Sequence, residues 1–269
     1  MHLNPPVVLV FAGNDPTGGA GLQADAQALA SMGCHAAPVV TAVTAQDTMG
    51  LKTFEAVATS MVIAQARAVL EDMPVAAFKV GMVGSLGNLA AIAEILAEYA
   101  GVPSVIDPVL TTGRGDDLTD SPLEEAMRSL LCPQATLFTP NSAEARRLVP
   151  EADNLEACAQ GLISAGAQYV LISGTHEPTP EVVHLLYGQR RLLERFVYAR
   201  LPGHYHGSGC TLAAACAATL AQGLDPMNAI VQGLDYTYQT LRHAWHIGHG
   251  QALPDRLFWA RADDSEDPD

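Results

Sequence analysis

Through the first 175 residues the chain repeats one phrase: a short apolar run, a loop of glycine or polar residues, then helical spacing. Few folds accept that rhythm. Val7-Val8-Leu9-Val10-Phe11-Ala12 has no polar alternation, so it reads as a strand buried on both faces, as in a parallel sheet. Residues 22–33 carry Leu22, Ala26, Leu29 and Ala30 on one side of a helix, and Gly33 fits its stop. Further strands are expected at Ala37–Val43, Ala76–Val80, Val102–Ile106, Ala135–Phe138 and Tyr169–Ser173. Helices are expected at about 58–71, 87–100, 121–131, 142–149 and 154–166. This alternation predicts an α/β fold, a mainly parallel central sheet flanked by helices. From 182 to 205 the pattern changes to two short antiparallel strands across a glycine turn, read as a small β flap. Helices resume at 209–222 and 226–245. One domain is expected over 1–262, followed by an acidic, disordered tail at 263–269.

Net charge is −15, from 29 acidic and 14 basic residues, which argues against nucleic acid as a partner. An anionic small molecule is not excluded, because glycine loops and a metal can hold phosphate locally. The five cysteines show no C-x-x-C pair, so no zinc pattern or disulfide framework follows. There is no run of about twenty apolar residues and no leader-like start, so a soluble, cytoplasmic protein without membrane contact is expected.

The polar and glycine residues fall where strands end. Gly13-Asn14-Asp15, Thr44-Ala45-Gln46, Gly81-Met82, Asp107-Pro108, Thr139-Pro140-Asn141 and Gly174-Thr175 each follow an expected strand. In open α/β sheets the carboxyl ends of the strands form the ligand crevice, so these loops point to a site on that edge. The first loop, G-N-D-P-T-G-G-A-G-L-Q-A-D at 13–25, lacks both G-x-G-x-x-G and G-K-[ST], which disfavours a dinucleotide fold and excludes a P-loop kinase. Asp107 projects from a strand end, where a carboxylate either holds Mg²⁺ or forms an Asp-Pro turn. Asn141 and Glu144 share the first turn of a helix, where they either position hydrated Mg²⁺ against phosphate or form a capping box.

The densest motif is H-G-S-G-C-T-L-A-A-A-C-A-A at 206–218. Gly207, Ser208 and Gly209 precede a helix of small residues, which lets main-chain N–H groups converge at its positive end. That is either an anion hole for phosphoryl transfer or a glycine turn before a core helix. Cys210 falls in the first turn, where the helix dipole is expected to favour thiolate.

These motifs together resemble the hydroxymethylpyrimidine/phosphomethylpyrimidine kinases of thiamine biosynthesis, members of the ribokinase-like superfamily. The resemblance is carried by A-G-N-D-P-T-G-G-A-G-L-Q-A-D, T-A-V-T-A-Q-D-T, K-V-G-M-V-G-S, I-D-P-V, T-P-N-S-A-E and H-G-S-G-C-T-L, from about residue 7 to 235. It implies a ribokinase-like three-layer fold and ATP-dependent phosphorylation of 4-amino-5-hydroxymethyl-2-methylpyrimidine and then of its monophosphate. Gly13, Asp25, Gln46, Met82 and Val109 match positions around the aminopyrimidine. Asp107, Asn141, Glu144, Ser173 and Thr175 are the expected contacts to ATP, Mg²⁺ and phosphate, with Asp107 and Glu144 holding the metal through water. Gly207, Ser208, Gly209 and Cys210 match the catalytic anion hole, with Cys210 as base. A homodimer is expected.

One position departs from the pattern. Where the family commonly has K-G-G-H, this chain has S-G-T-H, so Ser173 replaces a lysine that would offset phosphate charge. Arg114 in T-T-G-R-G-D is an alternative source of that charge. Two other readings stand beside the main one: a pyridoxal kinase with the same chemistry, and a pyrimidine-binding sensor weakened in catalysis at Ser173.

Overall fold

The structure, a computed structural model, describes residues 4–111, 115 and 117–261; Arg114 and the acidic tail lie outside the described residues. Nine strands form one sheet in the order β3-β2-β1-β4-β5-β6-β7-β8-β9. They are β1 (Val7–Asn14), β2 (His35–Asp47), β3 (Gly50–Ala56), β4 (Val75–Val80), β5 (Ser104–Ile106), β6 (Leu137–Phe138), β7 (Tyr169–Ile172), β8 (Glu181–Gly188) and β9 (Arg191–Ala199). The six from β2 to β7 pair in parallel, while β3 at one edge and β8 and β9 at the other are antiparallel.

The apolar runs are buried on both faces, as their lack of alternation requires. On one face Leu9, Phe11, Phe78, Val80, Ile106 and Phe138 meet α2 (Thr59–Asp72), α3 (Leu86–Glu98), α4 (Ser121–Ala126), α5 (Ser142–Leu148) and α6 (Leu155–Ser164). On the other, Val8, Val10, Ala77, Val105 and Leu171 meet α1 (Gly21–Ser31), α7 (Ser208–Ala221) and α8 (Pro226–Arg242). The small residues of α7 let α8 approach closely: a Cβ on Gly233 would lie 2.6 Å from Cys216 Sγ. Among the described residues no helix is long and apolar enough to cross a membrane.

Two elements differ from the expectation. β2 runs on to Asp47, through Thr44-Ala45-Gln46, and turns into β3, a mostly exposed edge strand with too few apolar residues to announce itself. The hairpin expected at 182–205 forms over 181–199, but β8 pairs with β7, so it extends the sheet rather than standing off it as a flap.

Chain order reverses beside β1: β2 lies on one side and β4 on the other. The loops after β1 and β4 therefore diverge and leave a crevice at their carboxyl ends. Asn88 fixes one wall. Its Nδ2 donates to the carbonyls of Thr41, Val57 and Val83 at 3.1–3.2 Å, and Thr41 Oγ1 bonds the Met82 carbonyl. Asn88→Ala should cost about 1–3 kcal/mol by stranding buried carbonyls. Urea unfolding measures this, and a loss below about 0.5 kcal/mol, the range of an inert surface change, would contradict the anchoring role.

Candidate active site

The crevice opens into a cleft of about 880 Å³ along the carboxyl edge of the sheet. The end of β1 contributes Gly13, β2 contributes Gln46, and the loops after β4 and β5 contribute Met82, Asp107 and Val109. Farther along stand Asn141 and Glu144 after β6, then Ser173 and Thr175 after β7. Gly207, Ser208, Gly209 and Cys210 face them from the start of α7. Seven segments distant in sequence thus meet along one cleft.

The glycines are required by contact. Gly207 has φ +78°, and a Cβ there would lie 2.0 Å from the Gly19 carbonyl oxygen. Gly21 has φ +58°, with its Cβ position 2.2 Å from the Gly13 carbonyl oxygen. So the β1–α1 loop and the start of α7 are pressed together backbone to backbone. Asp15 locks the junction: its carboxylate accepts from Thr17 N, Thr17 Oγ1 and Ala20 N, and meets His206 Nε2 at 2.9 Å.

Asp25 is corrected by the structure. It is fully buried and does not line the cleft. It faces the sheet from α1 and forms an ion pair of 2.9 Å with Lys79 Nζ, also fully buried. Burial disfavours the Lys79 charge, but Asp25, with Cys210 and Asp107 beyond it, outweighs that and keeps the ammonium protonated.

The expected Cys210 thiolate is also corrected. Burial pushes this thiol up to about 12; Lys79 opposes the shift, while Asp107 and Asp25 add to it. The helix dipole does not overcome burial beside the charges of Asp107 and Asp25. Asp107 itself is pushed up to about 6 by burial and by Asp25, against Lys79 and a hydrogen bond from Cys210. Glu144 is pushed up to about 8, by burial first and then by Asp107.

Asn141 and Glu144 form a complete capping box: Asn141 Oδ1 accepts from Ala143 N and Glu144 N, and Glu144 Oε2 accepts from Asn141 N, each at 2.9 Å. Leu110 N also donates to Glu144 Oε1. The structural reading of this motif is therefore realised, on a residue that also lines the cleft. Among the described residues no three His, Cys, Asp or Glu side chains converge to cage a metal ion. Two mutually repelling carboxylates fit a cation that keeps most of its ligands as water and phosphate, which is how Mg²⁺ is usually held.

The end of the cleft beside β8 and β9 is aromatic. His184 and Tyr198 pack edge to face at 5.7 Å, and Tyr198 lies 5.0 Å from Tyr238.

A model of the phosphomethylpyrimidine kinase family matches residues 15–255. The chain belongs to this family. The hydroxymethylpyrimidine/phosphomethylpyrimidine kinase of Mycobacterium tuberculosis is 39% identical over 263 residues, covering 95% of both chains. A phosphomethylpyrimidine kinase structure from Clostridium difficile superposes with TM-score 0.76 at 31% identity, covering 88% of this chain and 99% of that one. The ADP complex of Bacillus subtilis pyridoxal kinase superposes with TM-score 0.86 at 25% identity, covering 96% and 100%. The fold is accordingly ribokinase-like.

For a member of this family, Ser173 raises the question of charge. Arg200 is the one Lys or Arg among the described residues on the cleft wall, and it bonds the carbonyls of Thr175, Glu177 and Thr179. Sequence reasoning passed over Arg200, over His206 as partner of Asp15, and over Lys79. Only Lys79 left a clear signal, a lysine inside the apolar strand A-A-F-K-V.

Cys210, on the cleft wall, is the one free cysteine with partial solvent access, although protein surrounds most of its thiol, so alkylation reports on it selectively. Iodoacetamide should react slowly near neutrality, with a rate that rises roughly tenfold per pH unit to about pH 10. A plateau below about pH 8 would mean a low-pKa thiolate and contradict the burial argument.

Proposed function

We propose that the enzyme phosphorylates the hydroxymethyl group of 4-amino-5-hydroxymethyl-2-methylpyrimidine with ATP, then the resulting monophosphate, to supply thiamine biosynthesis. One observation carries the reading. The main-chain hole at 207–210 opens beside Asp107 and next to the cleft wall formed by Gln46, Met82 and Val109, in a chain of this kinase family.

The roles follow from the chemistry of the side chains. Gln46 offers one amide donor and one acceptor to the ring nitrogen and exocyclic amine, while Met82 and Val109 cover the ring faces. This places the hydroxymethyl group toward Cys210. A loose phosphoryl-transfer transition state needs little deprotonation of the nucleophile before bonding begins. A neutral Cys210 thiol therefore suffices to orient the hydroxyl but cannot take its proton, which passes late to a phosphoryl oxygen or, through water, to the Asp107 carboxylate. The N–H groups at the start of α7 stabilise the charge on the transferring phosphoryl oxygens. The aromatic end at His184, Tyr198 and Tyr238 suits the purine ring. Asp107 and Glu144 would hold hydrated Mg²⁺, which neutralises nucleotide phosphate charge when bound. Arg200 supplies fixed positive charge on the wall where Ser173 has none. We also expect the enzyme to act as a homodimer.

The pyridoxal kinase alternative rests on the higher TM-score of those neighbours, 0.86 against 0.76, at lower identity. Mass spectrometry of products formed from ATP, Mg²⁺ and the aminopyrimidine, with pyridoxal as competitor, separates the two. Both mono- and diphosphate are expected, and Gln46→Leu should raise KM for the pyrimidine by roughly ten- to hundredfold while moving KM for ATP little. Faster turnover of pyridoxal, or equal KM changes for both substrates, would overturn the assignment.

A further inference from the structure

We infer that Arg256, from the segment after α8, is a positioning residue for the anion hole at the start of α7. The inference rests on the phosphoryl-transfer reading of that hole. Arg256 is only 2% exposed, and among the described residues no carboxylate pairs with it. All four of its hydrogen bonds go to neutral acceptors: Thr211 Oγ1 at 2.9 Å, the carbonyls of Gly18 and Gly19, and Gln27 Oε1 at 3.2 Å. Burial disfavours its charge, and Asp25 and Asp15 offset that only in part, without a direct contact.

The hydrogen bonds show what uses it. Arg256 Nε donates to Thr211 Oγ1, and Thr211 Oγ1 donates onward to the Gly207 carbonyl at 2.8 Å. That carbonyl belongs to the peptide whose N–H is Ser208, the first residue of α7. Donation into the carbonyl orients the peptide and polarises its N–H, and a cation at the head of the chain strengthens each link. The other arm of the guanidinium fixes the Gly18 and Gly19 carbonyls, so it holds the β1–α1 loop against Gly207 from behind. The strap carrying Arg256 is itself tied down, with His206 N donating to the Ala252 carbonyl and Tyr236 Oη to the Arg256 carbonyl. Phosphoryl oxygens arriving at the Ser208 N–H then add negative charge at the end of a hydrogen-bond chain that starts at the buried guanidinium.

The test compares Arg256→Met, Thr211→Val, Thr211→Ser and the Arg256→Met/Thr211→Val double variant. Each is assayed for kcat and KM, and for affinity toward ADP alone and ADP with aluminium fluoride, a mimic of the transferring phosphoryl group. Arg256→Met should lower kcat roughly ten- to hundredfold with both KM values changed less than about threefold. Affinity for the fluoride complex should fall with kcat while ADP affinity holds. Thr211→Val should show the same split, Thr211→Ser should restore it, and the double variant should be no slower than Arg256→Met. Should Arg256→Met not fold, the Thr211 pair carries the test. An additive loss in the double variant, equal rates for Thr211→Val and Thr211→Ser, or an unchanged kcat would overturn the inference. Turnover by the unmodified enzyme checks the proposed substrate separately, since the ratio of fluoride-complex to ADP affinity reads Arg256 whichever alcohol is phosphorylated.

Discussion

The site is built on a buried ion pair. Lys79 stands on β4 beside the crevice where chain order reverses, and its ammonium meets Asp25 of α1 at 2.9 Å with both side chains out of water. The pair brings α1 down on the sheet directly beneath the β1–α1 loop. It also bears on the local backbone: a Cβ on Gly81 would lie 2.7 Å from Lys79 Nζ, so a side chain there would press on the ammonium as the strand leaves for the Met82 loop. Asp107 and Cys210 are close enough to feel the ammonium charge. Two walls of the cleft and the reacting end of it therefore share one electrostatic floor.

Above that floor the cleft divides by chemistry. Gln46, Met82 and Val109 offer an amide edge and apolar faces at the crevice. His184, Tyr198 and Tyr238 offer ring surfaces at the far end. Between them lie the helix N-terminus at 207–210 and the carboxylates Asp107 and Glu144. Under the proposed function, a neutral heteroaromatic alcohol and a nucleotide meeting over an anion hole account for all three zones, in keeping with the phosphomethylpyrimidine kinase family to which the chain belongs.

Much of this was legible in the residues because it depends on local pattern. A parallel strand buried on both faces must be an uninterrupted apolar run, so Val7–Ala12 and Val102–Ile106 declared themselves, and the polar residues that ended them marked the cleft. What escaped depends on direction and burial. Asp25 sits in a motif beside the ligand, but only its orientation on α1 shows that it turns away to Lys79. The helix-dipole argument for Cys210 is sound for an exposed thiol and fails in a pocket where burial dominates. Arg256 lies about fifty residues beyond the motif it supports, in a segment with no periodicity to place it.

The dependence on the Lys79–Asp25 pair is open to a direct measurement: chemical unfolding of Lys79→Met, Asp25→Leu and the double variant. Asp25 Oδ1 has no hydrogen-bond partner among the described residues, so the pair is held by a single strong contact. Either single change should cost about 3–5 kcal/mol by stranding a buried charge, and the double variant should recover most of that loss by removing both charges. Single variants as stable as the parent, or losses that simply add in the double variant, would contradict the account.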